Sequence, residues 1–153
     1  MVTRYTYLDD IVGEINVTDN AVVTAVSTTP AQITVFDTNG LSRGVTPDHT
    51  NDHLTILTTG TYEVSWSVSA ENSGGVGLVL STDLAINNND STFDNLHKHR
   101  TLSSGTDIGV MASSGYVNLT EGDTLEMWVT GSNGVAKDIV FSDVTLHIEK
   151  KRV

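Results

Sequence analysis

The chain has 153 residues, 38% apolar and 18% charged, with two prolines, thirteen glycines and no cysteine; that length suits one domain with its own core, and disulfides, thiolate chemistry and Cys-held metal centres are excluded. Nineteen acids against eight bases give a net charge of −11 and a pI near 4.5, which argues against nucleic-acid binding, since that requires a basic face to displace counterions. The start of the chain has no apolar signal-like core, and no run approaches the roughly eighteen apolar residues of a membrane span, so neither export nor membrane insertion is expected.

Thr and Val together supply about forty residues, and both are β-branched, so pleated backbone is favoured throughout. Residues 1–28 hold Tyr5, Tyr7, Leu8, Ile11, Val12, Ile15 and Val17 without firm alternation, which predicts an N-terminal arm with a first strand ahead of a single body over 29–153. Period-two runs follow at Ile33–Phe36 and Leu54–Leu57. The clearest is Thr61–Ala70, where Tyr62, Val64, Trp66 and Val68 take one face and Glu63, Ser65, Ser67 and Ser69 the other. Further runs lie at Val76–Leu80, Ile108–Met111, Tyr116–Leu119, Leu125–Val129 and Val144–Ile148. Asn- and Gly-rich turn signals separate them, among them Thr38-Asn39-Gly40, Asn72-Ser73-Gly74-Gly75, Asn87-Asn88-Asn89-Asp90 and Gly131-Ser132-Asn133-Gly134. Val117–Met127, with Glu121-Gly122-Asp123 at its tip, reads as a hairpin. The pattern predicts an all-β antiparallel sandwich of about 8–10 strands.

Little in the chain points to catalysis. His49 and His53 stand four apart beside Asp48 and Asp52, but in an expected loop; His97 and His99 share a strand face but flank Lys98. The loop position of the first pair and the cations Lys98 and Arg100 beside the second argue against a metal site. Asn87–Asp90 with Asp94 lacks the register and closing Glu of a calcium loop. No Gly-x-Ser-x-Gly elbow occurs, and the pairs Asp9–Asp10 and Glu121/Asp123 are local and turn-like. The reading is of a non-enzyme without cofactor or metal. The terminal Lys150-Lys151-Arg152 reads as a solubilising end or a contact for an acidic partner.

Laid out in order, the strands resemble the C1q/TNF-like jelly roll. Gly60-Thr61-Tyr62-Glu63-Val64-Ser65-Trp66 is similar to that family's Gly-x-Tyr strand, with Leu54-Thr55-Ile56 before it; Val117–Met127 is similar to its aliphatic-x-Leu-x-x-Gly-Asp hairpin; and Phe141–Ile148 is similar to its closing strand, with Asp143 where a glycine is usual. Arg43–Ile56 resembles segments preceding this strand in small jelly rolls of tailed-phage structural proteins. The resemblance implies a homotrimer about a three-fold axis. Its interface would be drawn from the polar strand faces: Glu63, Ser65, Ser67, Tyr116, Asn118, Thr145 and His147, with Phe141, whose parity opposes Val144 and Leu146, marking either a bulge or an interface aromatic.

The expectation is a bacteriophage head-decoration protein on the outer capsid surface. Its partners would be itself and the major capsid protein, and Tyr5, Tyr7, Leu8 and Ile11 would form a capsid-docking arm that can be deleted, with residues 1–20, without loss of folding. The alternative is the receptor-binding tip of a tail or head fibre, engaging a host glycan through loops 81–95 and 131–138.

Overall fold

The computed structural model describes residues 10–89 and 93–152, which carry twelve strands and one short 3₁₀ turn, Asp94–Leu96. In chain order the strands are β1 (Val12–Val17), β2 (Val23–Val26), β3 (Ala31–Gln32), β4 (Thr38–Arg43), β5 (Val45–Asp48), β6 (His53–Ile56), β7 (Gly60–Asn72), β8 (Leu78–Ile86), β9 (Lys98–Leu102), β10 (Asp107–Leu119), β11 (Thr124–Gly131) and β12 (Lys137–Lys150). They form two antiparallel sheets. The first runs β10-β7-β12-β1-β4, with β2 also on β12; the second runs β5-β6-β11-β8-β9, with β3 also on β11.

Side-chain parity sets the packing. On β7, Tyr62, Val64, Trp66, Val68 and Ala70 are all 2% exposed or less, while the residues between them face outward. Ile15, Leu54, Ile56, Leu84, Leu125, Met127, Leu146 and Ile148 meet them from the other strands, so the core is the space between the sheets. The Tyr62 hydroxyl leaves the core at one end and donates to the Thr58 carbonyl at 2.6 Å; burial raises this phenol above its ordinary pKa.

Four expectations are corrected. The first strand expected within residues 1–28 is present as Val12–Val17, but it belongs to the core and not to an arm: it is paired with both β12 and β4, and Ile15 is fully buried. Its alternation, with Gly13, Ile15 and Val17 inward, is hidden in the sequence because one inward position is a glycine. That glycine is required by close approach: a methyl group there would lie 2.5 Å from Val45 Cγ1 and 2.8 Å from Val45 Cβ. Gly13→Ala is therefore expected to lower the unfolding free energy by about 1–3 kcal/mol, measured by urea titration. Removing residues 1–20 would remove β1, so that deletion is expected to abolish folding.

Secondly, Ile33–Phe36 is buried at its ends but lies in no strand. Its backbone is held singly, by Ile33 N–H to the Met127 carbonyl at 2.8 Å and Phe36 N–H to Asp52 Oδ1 at 3.1 Å. Thirdly, Val117–Met127 is not a hairpin: β10 belongs to the first sheet and β11 to the second. The Glu121-Gly122-Asp123 turn is tied to β6 instead, through Gly122 N–H to the Ile56 carbonyl and Ile56 N–H to the Asp123 carbonyl, both 2.8 Å. Leu119 and Leu125 both point into the core from opposite walls, which a two-stranded ribbon would not require.

Fourthly, Phe141 is fully buried and is no interface residue. The register of β12 on β7 shifts between Phe141 and Asp143, so Ser142 is the extra residue of a bulge and both Phe141 and Val144 can face inward. Asn20 fills the gap in the ladder, its side-chain amide donating to the Phe141 carbonyl at 2.9 Å and its N–H to the Ser142 carbonyl at 3.0 Å. This is where β12 passes from pairing with β2 to pairing with β1.

Candidate functional site

The outer face of the first sheet gathers the remaining residues expected at an interface. Cross-strand register sets Ala112, Ser67, Thr145 and Asn16 in one row, Ser114, Ser65, His147 and Glu14 in the next, and Tyr116, Glu63 and Glu149 in a third, with Asn118 beside Thr61 beyond. Glu63, Ser65, Ser67, Thr145 and His147 are half-buried, Tyr116 and Asn118 exposed. Asn118 Oδ1 accepts from the Thr61 hydroxyl at 2.8 Å. Ala112, Ser67 and Thr145 in the first row and Ser114 and Ser65 in the second are small or β-branched, so another backbone can approach closely there.

Sequence reasoning missed the rim of this face. Ile108 and Val110 are 57% and 62% exposed on β10, an edge strand of thirteen residues. Their run looks like a buried one because Met111, its neighbour of opposite parity, is also apolar; the inward position between them is Gly109, over which Arg100 and Leu102 pack. The signal available was that Ile108, Val110, Ala112 and Ser114 share parity with Tyr116.

Two of the three C-terminal bases find acidic partners within the chain. Lys151 Nζ lies 2.5 Å from Glu63 Oε2 and 3.5 Å from Glu149 Oε1; the Glu63 hydrogen bond, foremost, raises its pKa. It relieves the like charges that register places opposite each other at Glu63 and Glu149. Arg152 bonds Asp10 at 2.8 Å. Ile11 packs partly buried against the core and over Gly44, so it does not project as a free anchor. Tyr5, Tyr7 and Leu8 lie outside the described residues.

The other four histidines lie on or beside the second sheet. Asp48 closes the β5–β6 turn, accepting from the N–H groups of Thr50 and Asn51 at 3.0 Å and from the Asn51 amide at 2.8 Å; the Asn51 bonds, foremost, lower its pKa. His53 Nε2 stands 3.9 Å from Asp48 Oδ2. His97 contacts Asp83 through Nδ1, and its ring lies 5.9 Å from that of His99. Among the described residues no three His, Asp or Glu side chains converge to hold a metal ion.

Asp52 is 7% exposed at φ 57° and accepts the Phe36 N–H. Burial pushes its pKa up to about 6, the Asp48 carboxylate adding to this and the Phe36 bond and both nearby histidines opposing it. A carboxyl that binds its proton more tightly folded than unfolded favours the fold fully below its ordinary pKa, near 3.9, and that contribution is lost as pH rises through about 6. An asparagine in its place would keep the acceptor oxygen and tolerate the left-handed backbone. Asp52→Asn is therefore expected to match the wild type in thermal stability near pH 4 and to exceed it by a few degrees at about pH 7.5, in paired melting curves.

No protein-family model matches the chain, and no curated protein sequence does. Among solved structures the chain is similar to Eiger TNF from S. frugiperda, with a TM-score of 0.63 and 16% identity over 94% of this chain and 93% of that one. It is also similar to murine APRIL at pH 5.0, with a TM-score of 0.59 and 15% identity over 94% of this chain and 100% of that one. At such identities the likeness establishes the fold, a TNF-like antiparallel jelly roll.

Proposed function

We propose that this chain is a structural protein that assembles as a homotrimer through the outer face of its first sheet, and that it decorates the outer surface of a bacteriophage head, bound to the major capsid protein. The observation that carries the assembly is the exposed apolar rim of β10 beside rows of small polar side chains. A long, uncovered edge strand with apolar side chains is a pairing liability in a lone molecule, and association covers it. The phage assignment is supported by the resemblance of Arg43–Ile56 to segments of small phage jelly rolls. An acidic body suits closely arrayed copies, which net charge keeps soluble.

The test is to mix the purified protein with undecorated heads and image them. Ordered trimeric density on the shell is the expected result. Bare heads together with binding to a glycan array would overturn decoration in favour of the fibre-tip reading. Deleting residues 1–9, which leaves every described strand intact, tests Tyr5, Tyr7 and Leu8 as docking anchors: head occupancy falls if they act so and is unchanged if they do not.

A further inference from the structure

Along β11 the outward positions are Thr124, Glu126, Trp128 and Thr130, and Glu126 is an anomaly. Glu126 lies on the outer face of a sheet, where solvent would be expected, yet it is 1% exposed. Two segments cover it. Asn87 and Asn88, at φ 53° and 62°, form the two-residue left-handed turn that follows β8, and from it the Asn88 N–H donates to Glu126 Oε2 at 3.0 Å. The Thr124 hydroxyl donates to the other carboxylate oxygen. On the opposite side Gln32 holds the β5–β6 turn, its amide donating to the carbonyls of Asn51 and Asp52 at 3.1 and 3.0 Å. Between these covers is an open cavity of about 280 Å³ lined by Gln32, Asn51, His53, Asn88, Thr124 and Glu126.

We infer that this cavity binds one neutral pyranose ring. Its volume stands just below the ~300–1,000 Å³ of ordinary ligand pockets, room for a single small ring. The lining is three amides, a hydroxyl, an imidazole and a carboxylate. Amides both donate and accept, as sugar hydroxyls do, and an ionised carboxylate accepts from hydroxyl donors through lone pairs beyond the two already used. The side-chain amide of Asn88 and Oε1 of Gln32 make no hydrogen bond within the described residues, so both are available. No Lys or Arg lines the cavity, and Glu126 would repel a phosphate, sulfate or carboxylate. The absence of an apolar wall disfavours a lipid or aromatic ligand. Metal ions are disfavoured by the lack of a three-ligand cluster among the described residues. The site lies on the sheet opposite the proposed trimer face, so it stays open in a trimer and stands whether the chain coats heads or tips a fibre.

The experiment is an amide ¹⁵N–¹H titration of the full chain with methyl α-glucoside, methyl α-galactoside, methyl α-mannoside and N-acetylglucosamine, each to about 50 mM, with inorganic phosphate as comparator. Lone sugars bind weakly, so millimolar dissociation constants are expected. Saturable shifts confined to the amides around Gln32, Asn51, His53, Asn88, Thr124 and Glu126, with at least one sugar, are the expected result. Asn88→Gly keeps the left-handed turn and removes the amide; Glu126→Gln keeps the shape and removes the charge. Each is expected to weaken binding about tenfold, roughly 1.4 kcal/mol. Silence with every sugar, a response to phosphate instead, or sugar shifts unchanged in both variants would overturn the assignment. Because the readout is on the isolated protein, its failure leaves head occupancy untouched, and the reverse also holds.

Discussion

Trp66→Ala is expected to cost the fold about 3–5 kcal/mol, the range for emptying a large aromatic site in a close-packed core. Trp66 is 2% exposed in the middle of β7, the strand that pairs with β10 on one side and β12 on the other, so neighbouring backbone is clamped by two ladders and cannot collapse into the void. Its indole Nε1 also donates to the Leu96 carbonyl at 3.2 Å, tying the short turn before β9 to the core of the first sheet. Truncation leaves that carbonyl unpaired, adding about 1 kcal/mol. For a domain of this size the loss corresponds to roughly 10 °C in midpoint temperature. Trp66→Phe, which keeps most of the volume and drops the donor, is expected to lose far less. A truncation that unfolds at the wild-type temperature would mean that Trp66 does not anchor the sandwich.

The second large effect concerns assembly. Ser67 stands in the row of Ala112, Thr145 and Asn16, where no long side chain intervenes. An arginine there projects away from the chain's own core and into whatever packs on that face. Ser67→Arg is expected to convert a species near three times 16.4 kDa into one of 16.4 kDa in sedimentation, with a melting point that no longer depends on protein concentration. Thr46→Arg, exposed on the outer face of the second sheet, is the control and keeps the trimer. A wild-type protein that sediments as a monomer at micromolar concentration, or a Ser67→Arg variant that remains trimeric, would remove this face from the account.

The parts of the fold legible in the sequence were those where a strand is amphipathic and uninterrupted. β7 alternates through Tyr62, Val64, Trp66 and Val68 with serines between, and its faces fall where period two puts them. β1 was obscured because Gly13 carries no side chain to mark an inward position. The Glu121-Gly122-Asp123 turn has the composition of a hairpin tip, and composition reports local backbone, not which sheet the next strand joins. Phe141 shows the same limit: a parity break announced a bulge or an exposed aromatic, and only the long-range pairing with β7 decides between them. The Glu126 cavity was invisible for a related reason. Its six residues come from β3, the β5–β6 turn, β6, the turn after β8, and β11, and no spacing rule links them.

The position of β12 bears on how the protein is made. It lies inside the first sheet, between β7 and the strand pair β1 and β2, so the earliest strands have no neighbour on that side until residues 137–150 have been translated. A nascent chain therefore holds β2 and one flank each of β1 and β7 unpaired until residues 137–150 have emerged, with β7's apolar residues exposed to chaperones and to other nascent chains. Closure of the sheet follows emergence of β12 from the exit tunnel, and nonsense changes upstream of Lys137 are expected to yield chains that aggregate rather than shortened domains.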